Sequence, residues 1–161
     1  MTMFVKMDYS TVAQNSYEQL ANQLDVLLTG EKNMYANLSN ASALVNQFFD
    51  RINWAGFYMM DGQELVLGPF QGLPACIRIP LGKGVCGTAA QDKESIIVAD
   101  VNAFPGHIAC DAASQSEIVV PLLKDGLVLG VLDIDSPELN RFNEEDRIGL
   151  ERFVEVLVKH L

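Results

Sequence analysis

Basic residues are scarce in this chain: 11 Lys and Arg stand against 21 Asp and Glu, a net charge of −10 over 161 residues. A surface field of that sign repels phosphate backbones and anionic lipid headgroups, which excludes nucleic acid and membrane surfaces as partners. Long apolar runs are missing as well. The most apolar region, Ile118 to Ile134, is interrupted by Lys124, Asp125 and Gly126, so no transmembrane helix is expected. Asp8 closes a very short apolar run at the N-terminus, a pattern that does not fit a secretory signal. A cytoplasmic location follows as the expectation. There, thiols are kept reduced, and an odd count of three cysteines argues further against a structural disulfide framework.

Other absences concern cofactors. No Cys-x-x-Cys knuckle exists, and a ligand set of His107, Cys110, Cys86 and Cys76 is widely dispersed, so no metal is expected. The glycines at 82, 84 and 87 are not followed by Gly-Lys-Ser/Thr and do not form a dinucleotide fingerprint. No cofactor is expected.

What the chain does have is size and pattern. At 161 residues it fits one domain, and folding buries roughly 70% of the surface that the unfolded chain exposes. Helical spacing runs from Ala13 through Tyr17, Leu20, Leu24, Leu27 and Leu28 to a stop at Thr29-Gly30, and again through Met34, Leu38, Ala41, Val45 and Phe48 to about Asp50. Asn53 to Met60 and Glu64 to Gly68 flank Asp61-Gly62 as a β-hairpin. Cys76 to Pro80 reads as a strand, Val85 to Asp92 as a short helix, and Ser95 to Ala99 as a buried strand. A long irregular loop spans Asp100 to Ser116. Glu117 to Leu123 and Leu127 to Asp135 flank Lys124-Asp125-Gly126 as a second hairpin. Asn143 is the expected N-cap of a final helix whose first turn is acidic. Two N-terminal helices (1–51), a sheet with its loops (52–142) and a C-terminal helix (143–161) give an α+β class, an antiparallel sheet covered by helices on one side.

Strand alternation then gathers candidate residues, because positions i, i+2 and i+4 share one face. Trp54 and Tyr58 project together, as do Asp133 and Asp135, while Leu132 and Ile134 turn toward a core. Glu117 opens the neighbouring strand of the same hairpin. Three carboxylates brought close raise the pKa of at least one of them, and such clusters tend to mark functional sites. A solvated face for the aspartates and an ordinary core for the aromatics is the competing reading. Each cysteine reads either as a small buried hydrophobe or as a reactive thiol. Cys110 stands apart because it lies in a loop too long to be a simple connection. His107, in the same loop, reads as a loop-ordering or solvent-facing residue.

From Trp54 to Asp135 the chain resembles the free methionine-R-sulfoxide reductases, a family of GAF domains. The resemblance is carried by Asn53-Trp54-Ala55-Gly56-Phe57-Tyr58, by Leu65-Val66-Leu67-Gly68-Pro69-Phe70-Gln71-Gly72, and by Cys76-Ile77-Arg78-Ile79-Pro80 running through Gly84-Val85-Cys86-Gly87-Thr88-Ala89-Ala90. It continues in Phe104-Pro105-Gly106-His107-Ile108-Ala109-Cys110-Asp111, Ser114-Gln115-Ser116-Glu117-Ile118-Val119-Val120-Pro121 and Val131-Leu132-Asp133-Ile134-Asp135-Ser136. The first fifty residues match in helical pattern alone. The resemblance implies a GAF-type fold: a six-stranded antiparallel sheet with helices on one face and a loop-covered pocket on the other.

It further implies that Cys110 is the nucleophile and Cys76 the thiol that closes a disulfide on it, with Cys86 as an alternative partner. Trp54 and Tyr58 would hold the substrate methyl group. Glu117, Asp133 and Asp135 would surround the sulfoxide oxygen and the polar end of free methionine-R-sulfoxide. Thioredoxin is the implied reductant. The rival is a GAF sensor that binds a ligand or responds to oxidation without turnover. A sensor is ordinarily attached to an output domain, and the 161 residues hold none beyond the last helix, which favours the enzyme. Oligomeric state stays open, with the two N-terminal helices offering a surface on which two copies pair as a homodimer.

Overall fold

The computed structural model describes residues 4–161. Two helices come first: α1 (Ala13–Leu28) and α2 (Met34–Phe48). Helix α1 buries Tyr17, Leu20, Leu24 and Leu28 along one face and ends at Thr29, beyond which Gly30 takes a left-handed φ of 87°. Asn33 caps α2 by accepting a hydrogen bond from the Ala36 amide at 3.0 Å.

Strands β1 (Trp54–Asp61), β2 (Glu64–Gly72) and β3 (Arg78–Pro80) follow, then helix α3 (Gly84–Asp92) and strand β4 (Ile96–Val98). A 3₁₀ turn at Val101–Ala103 interrupts the long loop. Strands β5 (Ser116–Lys124) and β6 (Leu127–Ser136) lead to helix α4 (Glu144–Leu157) and a final 3₁₀ turn at Val158–His160. The six strands form one sheet in the order β3-β2-β1-β6-β5-β4, and every neighbouring pair is antiparallel. This is the α+β architecture expected from the sequence.

Two element assignments differ from the sequence reading. Strand β2 continues past Gly68 to Gly72, because Phe70, Gln71 and Gly72 pair with Gly56, Ala55 and Trp54. Cys76 lies outside β3, in the connection 73–77, since ladder pairing between β2 and β3 begins at Arg78.

Helices α1, α2 and α4 cover one sheet face. The core between them contains Leu20, Leu24, Leu38, Phe57, Leu132, Ile134 and Phe153, all fully buried. Burial of each such side chain contributes roughly 1.5–3 kcal/mol. Helices α1 and α4 approach so closely that a Cβ on Gly149 would meet the Tyr17 ring at 2.1 Å. The Tyr17 hydroxyl donates to Asp146 at 2.6 Å, and Asp146 also completes a capping box with Asn143 at the start of α4. The opposite face carries a second apolar cluster, built on Trp54, Tyr58, Leu65, Val119 and Val131, against which α3 packs Val85, Cys86 and Ala89. Among the described residues no helix is long and apolar enough to cross a membrane.

Candidate active site

Ladder register places the polar residues of this second face in rows. Trp54 stands opposite Asp135, and Asp135 opposite Glu117, so one row crosses β1, β6 and β5. In the next row Gly56 stands opposite Asp133, and Asp133 opposite Val119. Gly56 has a packing reason to lack a side chain: a Cβ there would come within 2.8 Å of the Trp54 ring and 2.3 Å of Phe70 Cβ. Trp54 therefore stacks flat, 5.2 Å from the Phe70 ring and 5.8 Å from Tyr58. Both aromatics use their polar atoms on the segment that carries Cys76. The Trp54 indole donates to the Leu73 carbonyl at 3.1 Å, and the Tyr58 hydroxyl donates to the Cys76 carbonyl at 3.0 Å.

The long loop after β4 covers the row from above. Asn53, whose amide bonds the Asp135 carbonyl at 2.9 Å, donates from its side chain to Asp111 at 2.9 Å and to Ser114 at 3.0 Å. That tether brings Cys110 over the face. Cys110 and Cys76 are joined as a disulfide with their Cα atoms 5.4 Å apart, across 34 residues of sequence. Cys86, at the start of α3, is free and buried, and its thiol points at Glu117 Oε1 3.9 Å away.

Between disulfide and sheet lies a small cavity of about 30 Å³, lined by Tyr58, Cys86, Cys110, Glu117, Asp133 and Asp135. His107, Asp111 and Ser114 also line it. His107 is thus a wall residue, with Nε2 4.0 Å from Glu117 Oε2, and burial lowers its pKa. Sequence pattern did not single out Asn53, Asp111 or Ser114, because loop side chains carry no periodicity.

Burial dominates the electrostatics. It pushes Glu117 well above the carboxylate range, and the nearby Asp133 and Asp135 charges add to the shift. Asp135 is raised by burial, then by Asp133 and Asp111, against an opposing hydrogen bond from Ser114. Asp133 reaches about 6 through burial, restrained by hydrogen bonds with Cys86 and Glu117. Its Oδ1 is buried without a hydrogen-bond partner. Burial and the neighbouring carboxylates push the Cys86 thiol up, so it stays protonated. For a cation, Cys86, Glu117 and Asp133 are the grouping among the described residues whose ligand-type atoms lie within 4.8 Å of one another. The dispersed set of His107 and three cysteines is consumed by the disulfide, which removes two thiolates. Chemically, the arrangement joins a disulfide to a shielded group of carboxyls whose burial favours the protonated form.

The GAF domain family matches residues 38–158. The free methionine-R-sulfoxide reductase of Escherichia coli (strain K12) is 50% identical over 145 residues, covering 90% of this chain and 88% of that protein. The enzyme of the same name from Saccharomyces cerevisiae is 49% identical over 150 residues, covering 88% and 83%. The crystal structure of free methionine-R-sulfoxide reductase from Neisseria meningitidis in complex with its substrate superposes with a TM-score of 0.91 at 42% identity, covering 98% of this chain and 94% of that one.

Proposed function

The chain belongs to the free methionine-R-sulfoxide reductases, a family of GAF-domain enzymes, and from that premise we propose that it reduces free L-methionine-R-sulfoxide to L-methionine at the cavity beneath Cys110. The observation that carries this reading is the Cys76–Cys110 disulfide lying over the carboxyls of Glu117, Asp133 and Asp135, the first two of them buried.

The Cys110 thiolate attacks the sulfoxide sulfur while a carboxylic acid protonates the departing oxygen. Methionine leaves, the oxygen passes to Cys110, and Cys110 becomes a sulfenic acid. The Cys76 thiol then condenses with it, forming the S–S bond and releasing water. An external dithiol, thioredoxin in this reading, exchanges with that bond and restores both thiols. Asp133, at about 6, is mostly ionised at neutral pH. Its unpartnered oxygen suits the ammonium of a free amino acid, with Glu117 beside it as a further acceptor whose charged form such a cation would favour. Asp135 and Asp133 both border a small hollow with Cys110, Trp54 and Tyr58, and of the two Asp135, whose pKa burial and its acidic neighbours raise well above the ordinary value, is assigned as the proton donor. Trp54 and Tyr58 supply apolar surface for the methyl group. Cys86, a protonated buried thiol, is held as the alternative resolving partner rather than the nucleophile.

The test is NADPH consumption with thioredoxin, thioredoxin reductase and defined sulfoxides. Free L-methionine-R-sulfoxide is turned over, and the S epimer and peptide-bound methionine sulfoxide are left. Comparable rates on all three contradict the substrate assignment, and tight binding without turnover favours a sensor.

A further inference from the structure

The reductase reading leaves open how a protein reductant reaches a disulfide set into the mouth of a cavity. We propose that the apolar rim carried by Leu73, Pro74, Ile77, Ile108 and Ala109 is the docking surface for a dithiol protein, the partner that reduces the Cys76–Cys110 disulfide. This inference rests on the reductase reading and extends it to the partner's contact face.

The rim combines exposure with absence of charge. Leu73 is 63% exposed, Ile77 70% and Ile108 36%, and all three lie within three residues of a disulfide cysteine. The segments 73–77 and 108–110 contain no ionisable group besides their cysteines, in a chain with 32 charged residues (21 + 11). Exposed apolar side chains scattered singly need no explanation, but a group of them from two chain segments converging on one disulfide does. The convergence is structural: the disulfide ties the segments together, and Leu73 borders the same hollow as Cys110.

The rim is also held in place. Trp54 and Tyr58 bond the carbonyls of Leu73 and Cys76, the Leu67 amide bonds the Ile77 carbonyl at 2.9 Å, and Ile108 lies where a Cβ on Gly84 would meet its Cδ1 at 3.3 Å. A surface ordered before binding loses little entropy on docking. An uncharged apolar patch beside the reacting atoms suits the desolvated centre of a protein interface, whereas a small thiol needs no such collar.

In the exchange, a partner thiolate attacks one sulfur of the disulfide and the other leaves as a thiolate. The partner's second thiol then attacks the mixed disulfide, so that its own pair is oxidised as Cys76 and Cys110 are reduced.

The experiment compares two reductants on wild type, Ile77→Asp and Ile77→Leu. With dithiothreitol as reductant, both variants should turn over within about twofold of wild type, since Ile77 touches neither cavity nor carboxyls. With thioredoxin, Ile77→Asp should raise the KM for thioredoxin by about tenfold or more by placing a charge in the docked centre, and Ile77→Leu should restore it. Leu73→Asp, judged on the ratio of its thioredoxin and dithiothreitol rates, should repeat the loss. A KM for thioredoxin within about twofold of wild type in both aspartate variants, with dithiothreitol turnover intact, overturns the docking surface. Absence of wild-type turnover with either reductant overturns the reductase reading itself, and this inference with it.

Discussion

The two faces of the sheet are made by the same strands and serve opposite ends. On the helix-covered face, Ala55, Phe57, Ile118, Leu132 and Ile134 meet α1, α2 and α4 in an apolar core, beside which the buried carboxylate of Asp146 is taken up by the Tyr17 hydroxyl and the α4 cap. On the other face, Trp54, Tyr58, Glu117, Asp133 and Asp135 come from the same β1, β5 and β6, yet three of these five are acids, Glu117 and Asp133 buried and Asp135 half-buried. Leu132, Asp133, Ile134 and Asp135 are consecutive, and the pleat sends them alternately to the two faces. Burial of a carboxylate opposes folding, so the helical face must supply the stability that the acidic face gives up. That division explains how a shielded acid site persists: it lies on a sheet already stabilised from behind.

The sharpest way to break the comparison is to alter chemistry on one face alone. In single-turnover assays on reduced protein, Cys110→Ser should release no methionine. Asp135→Asn should slow release by about 10²–10⁴-fold, the usual contribution of a general acid. With the protonated carboxyl as the proposed donor, the Asp135-dependent part of the rate should fall as pH rises through the raised pKa. If Asp135→Asn, Asp133→Asn and Glu117→Gln all stay within a few-fold of wild type across about pH 5 to 9, the acidic face is structural.

A smaller effect separates neighbours one residue apart. Leu132→Ala should cost about 2–5 kcal/mol of stability at every pH, as buried large-to-small changes do. Asp133→Asn should behave differently. Its carboxyl has a folded pKa of about 6, above the roughly 3.9 of an unfolded chain. The stability linked to that group is therefore complete below about pH 4 and is lost as pH rises through 6. The amide escapes that loss, so Asp133→Asn should gain on wild type at about pH 8 and gain nothing at about pH 4 in urea denaturation. A pH-independent difference would mean that burial of the charge is not what the site resists.

Much of this division is legible in the sequence, because both faces announce themselves by a period of two. Alternation put Asp133 and Asp135 on the side of Trp54 and Tyr58, and Leu132 and Ile134 on the other, where the structure has them. Helix boundaries were readable from caps, Asn143 in particular. The loops were not. Cys76 carries a strand-like neighbourhood, but its backbone carbonyl is taken by Tyr58 rather than by a ladder partner. His107, Asp111 and Ser114 reach the cavity by the path of the loop, and Asn53 holds the latter two by tertiary hydrogen bonds, which no local spacing encodes. The segment Val85 to Asp92 reads only as a short helix, and the packing of Val85, Cys86 and Ala89 reveals that it walls the pocket side.

Passage of the sulfoxide oxygen to Cys110 and its clearance by Cys76, as proposed, would leave a signature that peptide mapping reads after one turnover. Fully reduced protein is mixed with free L-methionine-R-sulfoxide without reductant, quenched with an alkylating agent and digested. The account predicts about one methionine released per chain, the peptides of Cys76 and Cys110 joined, and Cys86 alkylated under denaturing conditions. Methionine release accompanied by a disulfide from Cys86 to either other cysteine, with no Cys76–Cys110 pair, would contradict it.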